Sequence, residues 1–492
     1  MQVIASVAWA THLSRLEARP RRVEQAQACS RLVIGGIFPH VADVSRFRSK
    51  RPTFLLLLEY GIYRCFESSF QYLPPRWVDA IGRLLGHIAH DLMPRRRAIV
   101  ERNCMIAWGD SLSRDEVKAL TKEVFLRNGA NLLGATRCMI MPDHKLHRHL
   151  SIEGAELVRN HLQHSSSGVI FALCHMGNWE ILARIASLIA PNVPSAAFYR
   201  PLNNPWMNRM TKRRRQRSGM KLFSNKEGFS QAVPLLREGG MLGILADQHA
   251  GRTGTRATFF GRPTACSPLA EVLHRRTGAA MFYVAVFRDA PAHWHIKISP
   301  HSVDAPMDTP HLMANIEKSL SLSPADGFWF HDRWKQYKRA LLKDPHSRDG
   351  LDPLAITKPR RWLLVGSSNS QIQAAATAAM QHVIDHADDA QVDVISTAPI
   401  NPVRGAWHLR AENVAMQINE IANQSLNPLD IIVYFCALEE IPANLDISYA
   451  FLTAGISPSK NRKLNVHLPT NDSLTNEPTW WKFLAHLGLK KP

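Results

Sequence analysis

Short, continuously apolar runs, each closed by a glycine or a polar turn, recur through the middle of this chain. Residues 169–173, 241–245 and 279–287 each read as a buried strand, because a strand covered on both faces is apolar without alternation. Residues 54–73 are apolar at helical spacing, broken by Glu59, Arg64, Glu67 and Gln71. That pattern fits an amphipathic helix lying in a membrane interface, or else an ordinary core helix, and nowhere do 18 apolar residues follow one another as a span would need. Beyond a proline-containing stretch at 353–361 the alternation resumes. Strand-like runs at 362–366, 392–395 and 431–435 are separated by helical stretches at 371–386 and 412–422. The expected fold class is α/β. A central sheet covered by helices occupies 51–345, a linker 346–357, and a smaller Rossmann-like α/β unit 358–492. Residues 1–50 read as a flexible basic leader without a signal-peptide pattern. The C-terminal unit, with its own core, is expected to be separable.

Charge divides the chain in the same place. The net charge is +19, yet residues 351–492 hold 11 basic and 13 acidic side chains, so the whole excess lies before them. Such a field suits an anionic lipid surface, a phosphorylated glycolipid or an acidic carrier protein. Nucleic acid is not expected, since no nucleic-acid motif or aromatic-basic platform accompanies the charge. The strongest basic run, Lys212-Arg213-Arg214-Arg215-Gln216-Arg217, is expected to present Arg213 and Arg214 to a phosphate, or else to be a solvated helix face. Seven scattered cysteines without a Cys-x-x-Cys pair fit a reducing compartment and neither a disulfide framework nor a zinc site.

The candidate chemistry sits at the end of the first strand. His175 follows residues 169–173, Gly177 makes a turn, and a helix is expected to begin near Asn178 or Trp179, with Glu180 five residues after the histidine. A reactive side chain at the carboxyl end of a strand is a common α/β site, and an imidazole beside a carboxylate can act as a general base near neutral pH. Spacing alone is weak, because about two His-x4-acid pairs arise by chance in this composition. The other two, His12–Glu17 and His467–Asp472, follow no strand-like run. Cys174 faces away from His175 while the strand lasts, and is expected to be buried and inert.

Further motifs follow in order: Glu101-Arg102-Asn103 with Ala107-Trp108, Tyr199-Arg200-Pro201 through Asn204-Pro205, Ala246-Asp247-Gln248, Phe259-Phe260-Gly261, and Trp329-Phe330-His331-Asp332-Arg333-Trp334-Lys335. Together with His175-Met176-Gly177-Asn178-Trp179-Glu180, they make residues 50–340 resemble the lipid A acyltransferases of lipopolysaccharide assembly. Those enzymes have Phe where this chain has Met176. The resemblance implies acyl transfer from a thioester on acyl carrier protein to a hydroxyl of a lipid A precursor. It implies the cytoplasmic face of the inner membrane of a Gram-negative-type bacterium. His175, Glu180, Arg200 and Asp247 are its implied catalytic residues: His175 the base, Glu180 orienting the imidazole, Arg200 facing the carbonyl oxygen, and Asp247 fixing Arg200 or a nearby loop. Asn178, Trp179, Asn204, Gln248, Phe260 and Gly261 are its implied substrate contacts. No cofactor and no metal are expected, and neither a Gly-x-Ser-x-Gly elbow nor a His-Glu-x-x-His zinc motif is present. Another anionic lipid as acceptor, and a non-catalytic basic membrane scaffold, stay open as alternatives.

Overall fold

The computed structural model describes residues 52–334, apart from 225–227 and 252–253, together with 356–435 and 452–454, apart from 369, 387–389, 397–405 and 409–412. The expected leader and most of the expected linker lie outside the described residues.

Four helices lead into the first sheet: α1 (Thr53–Phe70), α2 (Pro75–Leu92), α3 (Pro94–Trp108) and α4 (Arg114–Ile140). Proline opens α2 and α3 where its missing N–H leaves no helical bond unmade. Ser113 and Glu116 close a capping box at the start of α4. The α2–α4 seam is unusually close. A Cβ at Gly82 would lie 2.5 Å from the Ala130 Cα, and one at Gly86 would lie 2.3 Å from the Phe125 carbonyl oxygen. With its small residues turned inward, α2 turns Trp77, Leu84, Ile88 and Leu92 outward, where all four are exposed. Phe54, Leu55, Leu58 and Ile62 of α1 are exposed as well. No helix among the described residues is long and apolar enough to cross a membrane.

The strands are β1 (Leu150–Glu153), β2 (Val169–Leu173), β3 (Ser195–Tyr199), β4 (Lys221–Ser224), β5 (Met241–Leu245), β6 (Thr255–Phe259), β7 (Arg262–Cys266), β8 (Ala280–Ala290) and β9 (His293–Pro300). Seven of them form one sheet in the order β1-β9-β8-β2-β5-β3-β4, and β6 with β7 forms a separate hairpin. Only β8 and β9 run antiparallel within the large sheet. Helices α5 (Leu182–Ile189) and α6 (Pro205–Arg215) follow β2 and β3. β2 lies at the centre and is buried at every position, which explains its unbroken apolar sequence.

The second unit is a parallel sheet of β10 (Arg360–Val365), β11 (Ala390–Ser396), β12 (Ala406–His408), β13 (Ile431–Tyr434) and β14 (Leu452–Ala454), in the order β12-β11-β10-β13-β14. Helices α7 (Ser370–His386) and α8 (Val414–Asn423) fall between its strands, close to the predicted bounds. This strand order, which reverses beside the first strand, is that of a doubly wound sheet.

The second unit has a hydrophobic core of its own, and buried polar contacts join it to the first. Lys358 Nζ donates to the carbonyl oxygens of Ile106 (2.6 Å) and Ala107 (3.2 Å) and pairs with Asp110 at 3.0 Å. Asp430, from the second unit, binds Arg102 of α3 and Arg262 of β7, and all three are buried. Burial alone would raise the Asp430 carboxyl, but Arg262 and Arg102 outweigh it and hold it below its ordinary value.

Candidate active site

Parallel pairing of β2 with β5 sets Leu173 beside Leu245, so the chain leaves both strands at the same level. Two residues further on, Asp247 grips His175 twice. One carboxylate oxygen lies 2.7 Å from the imidazole Nδ1, and the other accepts the His175 backbone N–H at 2.9 Å. Burial would raise the Asp247 carboxyl, yet the charge and hydrogen bonds of His175 win and hold it down at about 2. An ionised Asp247 keeps the proton on Nδ1, so Nε2 presents its lone pair outward.

That lone pair faces the Gln248 side-chain amide, whose Nε2 lies 3.3 Å from His175 Nε2 and 3.1 Å from His331 Nε2. The two imidazoles stand edge to face with centroids 5.2 Å apart. Burial first, then the nearby His175, Arg96 and Arg333, push His331 down to about 4, against the opposing pull of Asp247. His331 is therefore neutral at physiological pH. Trp179 and Phe328 close one side of the site, with ring centroids 5.4 and 6.3 Å from His175.

The loop carrying His331 is pinned to the histidine strand. Phe328 N–H donates to the His175 carbonyl oxygen (2.7 Å), and Gly177 N–H to that of Asp326 (2.8 Å). Gly177 has φ +56°, and a Cβ there would lie 2.2 Å from the Val286 carbonyl oxygen, so only glycine fits the turn. Beneath it, the fully buried Asp326 accepts from Arg127 (3.0 Å), Asn131 (2.9 Å), Ser323 (2.7 Å) and the Arg288 N–H (3.1 Å). Arg333 is buried behind His331 and binds Thr264 Oγ1 (2.7 Å), the Ala265 carbonyl (3.2 Å) and Cys266 Sγ (3.1 Å). Cys174 is buried with its thiol held well above the ordinary range by that burial, as an inert cysteine should be.

The structure thus brings together His175, Asp247, Gln248 and Trp179 of the expected residues, and adds His331. Other assignments are corrected. Glu180 does not orient the imidazole, because both its oxygens are bound by Arg215, at 2.5 and 2.9 Å, and Asp247 holds the place instead. Asp247 correspondingly serves His175 rather than Arg200. Asn204 is the N-cap of α6, and its amide nitrogen donates to Leu56 O (2.8 Å) and Glu59 (3.2 Å), so it joins α6 to α1. Arg214 is neutralised by both oxygens of Glu67 and is no open phosphate ligand, whereas Arg213 is exposed. Phe260 and Gly261 form the two-residue turn of the β6–β7 hairpin, both at positive φ. The Phe260 ring packs on Trp108 and Trp329 instead of facing a substrate. Asn178 is buried beside Cys138 of α4. Arg200 follows β3, on the same sheet edge as His175 but beyond β5, and is exposed.

Among the described residues, no group of three or more His, Cys, Asp or Glu could hold a metal ion. The ensemble is an outward-facing imidazole base, a buried acid fixing its tautomer, and a second, neutral imidazole. It can take a proton from a hydroxyl and return it to a leaving group. The model of one protein family, described as bacterial lipid A biosynthesis acyltransferase, matches residues 49–336. Comparison with curated proteins gave no match.

Proposed function

Since this chain belongs to the bacterial lipid A biosynthesis acyltransferase family, we propose that it moves a fatty acyl chain from a thioester on acyl carrier protein to a hydroxyl of a lipid A precursor or a related anionic glycolipid. The observation that carries the chemistry is the double grip of Asp247 on His175, which leaves Nε2 as an outward-facing base. The acceptor displaces the Gln248 amide from Nε2 and gives up its hydroxyl proton there as its oxygen attacks the thioester carbonyl. Asp247 stabilises the imidazolium so formed. When the C–S bond breaks, the proton passes from His175 to the departing thiolate.

The enzyme works at the cytoplasmic face of the inner membrane. The exposed apolar positions of α1 and α2 support an interfacial attachment, with basic residues 76, 95 and 97 beside them for anionic headgroups. The purified full chain, given acyl carrier protein carrying a fatty acid and a lipid A precursor, is expected to add one acyl chain to the lipid, read by mass spectrometry, with equal release of carrier thiol. Acylation of a different anionic lipid alone would move the acceptor elsewhere, and thiol release without any acylated lipid would sink the transferase assignment of this site.

A further inference from the structure

One carboxamide nitrogen stands between two imidazoles. Asp247 accepts the Nδ1–H of His175, so the Nε2 atom that faces Gln248 carries a lone pair. An amide oxygen set there would oppose lone pair to lone pair. The atom 3.3 Å from His175 Nε2 is therefore the Gln248 amide nitrogen, donating one of its two hydrogens. The other hydrogen meets His331 Nε2 at 3.1 Å and makes the same demand, so His331 carries its own proton on Nδ1. Burial keeps that ring neutral. A His331 protonated on Nε2 would turn the amide over and bring its oxygen round instead.

The backbone that carries His331 is fixed on two sides. Buried Asn103 donates through Nδ2 to the carbonyl oxygens of Trp329 (2.8 Å) and His331 (2.6 Å), and Phe328 N–H donates to that of His175 (2.7 Å). Gln248 itself follows β5 and is exposed, open to an entering substrate. An acceptor hydroxyl that takes His175 Nε2 frees one N–H of the amide and leaves the other on His331. The freed N–H then lies beside the point of attack, where the thioester carbonyl oxygen gains its charge.

We infer that Gln248 is a catalytic residue whose amide N–H stabilises the oxyanion of the tetrahedral intermediate, and that His331 is the positioning residue that keeps the amide nitrogen turned toward it. As the new O–C bond forms, the carbonyl π pair moves onto that oxygen, and it returns as the C–S bond breaks. The amide gives up no proton. The inference rests on the proposed transfer from a thioester.

The test uses the full chain. Gln248→Ala is expected to lower kcat about 100- to 1,000-fold with the thioester KM nearly unchanged. Gln248→Glu keeps the shape without the donor and is expected to fall at least as far. Near-normal kcat in either variant, or a change confined to KM, overturns the inference. His331→Phe removes the lone pair that aims the amide and is expected to cost about 2- to 10-fold in kcat, with little further loss when added to Gln248→Ala. Full additivity of the two losses overturns the positioning role. In spectra of the chain labelled with 15N-histidine, His175 and His331 are both expected to be unprotonated at Nε2. A proton on His331 Nε2 refutes the idea, and this measurement decides should His331→Phe not fold. If no lipid is acylated, the proposed acceptor falls, but release of carrier thiol to water passes through the same oxyanion, and the Gln248→Ala loss is read there. If no thiol is released either, the proposed transfer falls and takes the oxyanion role with it, while the tautomer still judges whether His331 aims the amide.

Discussion

Leu173 and Leu245 are registered partners in neighbouring parallel strands, and His175 and Asp247 each stand two residues past that pair. The acid–base geometry is therefore a product of strand register. A slip of one residue in β5 would turn Asp247 away from the imidazole.

His175→Ala is expected to lower acyl transfer about 100- to 10,000-fold while circular dichroism and thermal melting stay near those of the unaltered chain. Turnover of acyl carrier protein thioester close to normal would remove His175 from the chemistry.

Asp247→Asn should lower kcat by about 1,000-fold or more, since an amide can accept from Nδ1–H in one tautomer or donate to bare Nδ1 in the other, so it fixes neither, and it stabilises no imidazolium. The loss belongs in kcat, measured at saturating acceptor. A change confined to KM would make Asp247 a structural tether.

Glu180 is coupled to Arg215 and not to the imidazole. In a double-mutant cycle, Glu180→Gln with Arg215→Gln is expected to show a coupling of about 0.5–3 kcal/mol. Glu180→Gln with Asp247→Asn should be close to additive in its effect on stability. Strong Glu180–Asp247 coupling without any Glu180–Arg215 coupling would restore Glu180 as the orienting acid.

His331 gives stability a pH signature. Its native value is depressed to about 4, so below about 6.5 the unfolded chain takes up a proton that the native protein refuses. Stability is therefore full above that value and falls as pH drops toward 4, by at most about 3 kcal/mol. Asp247 acts lower, its contribution fading from about 4 toward 2. Urea titrations from pH 7 to 4 should show the first loss, and His331→Gln should flatten it. An unflattened curve would assign the window to other groups.

Leu84→Glu with Ile88→Glu places two charges on the exposed side of α2. Flotation with anionic vesicles is expected to fall well below that of the unaltered chain, and salt should weaken what remains. Unchanged flotation would shift attachment to another surface.

The strands were legible because β2 is buried at every position and β5 at Met241, Leu242 and Ile244, and their bounds 169–173 and 241–245 are those read from the apolar runs. The alternation of the second unit was legible for the same reason. Partnership was not. Glu180 is the acid nearest His175 in sequence, but Asp247 is reached only once β2 and β5 pair across some 70 residues. His331 lay in plain view inside a recognised motif, yet nothing local to it reveals that its loop pairs back onto Met176. The arginine run shows the converse: Glu67 and Glu180, distant in sequence, neutralise two of its charges.

Where α2 crosses α4 there is backbone against backbone, with Gly82 and Gly86 leaving no side chain between them. Rotamers are what let an ordinary helix contact yield a little, and this joint has none to spend. From α4, Asn128 and Asn131 in turn donate to Gly327 and Asp326 of the loop that bears His331. The exposed apolar side of α2 and the loop that bears His331 are thus the two ends of a single chain of direct contacts, running through one side-chain-free helix joint.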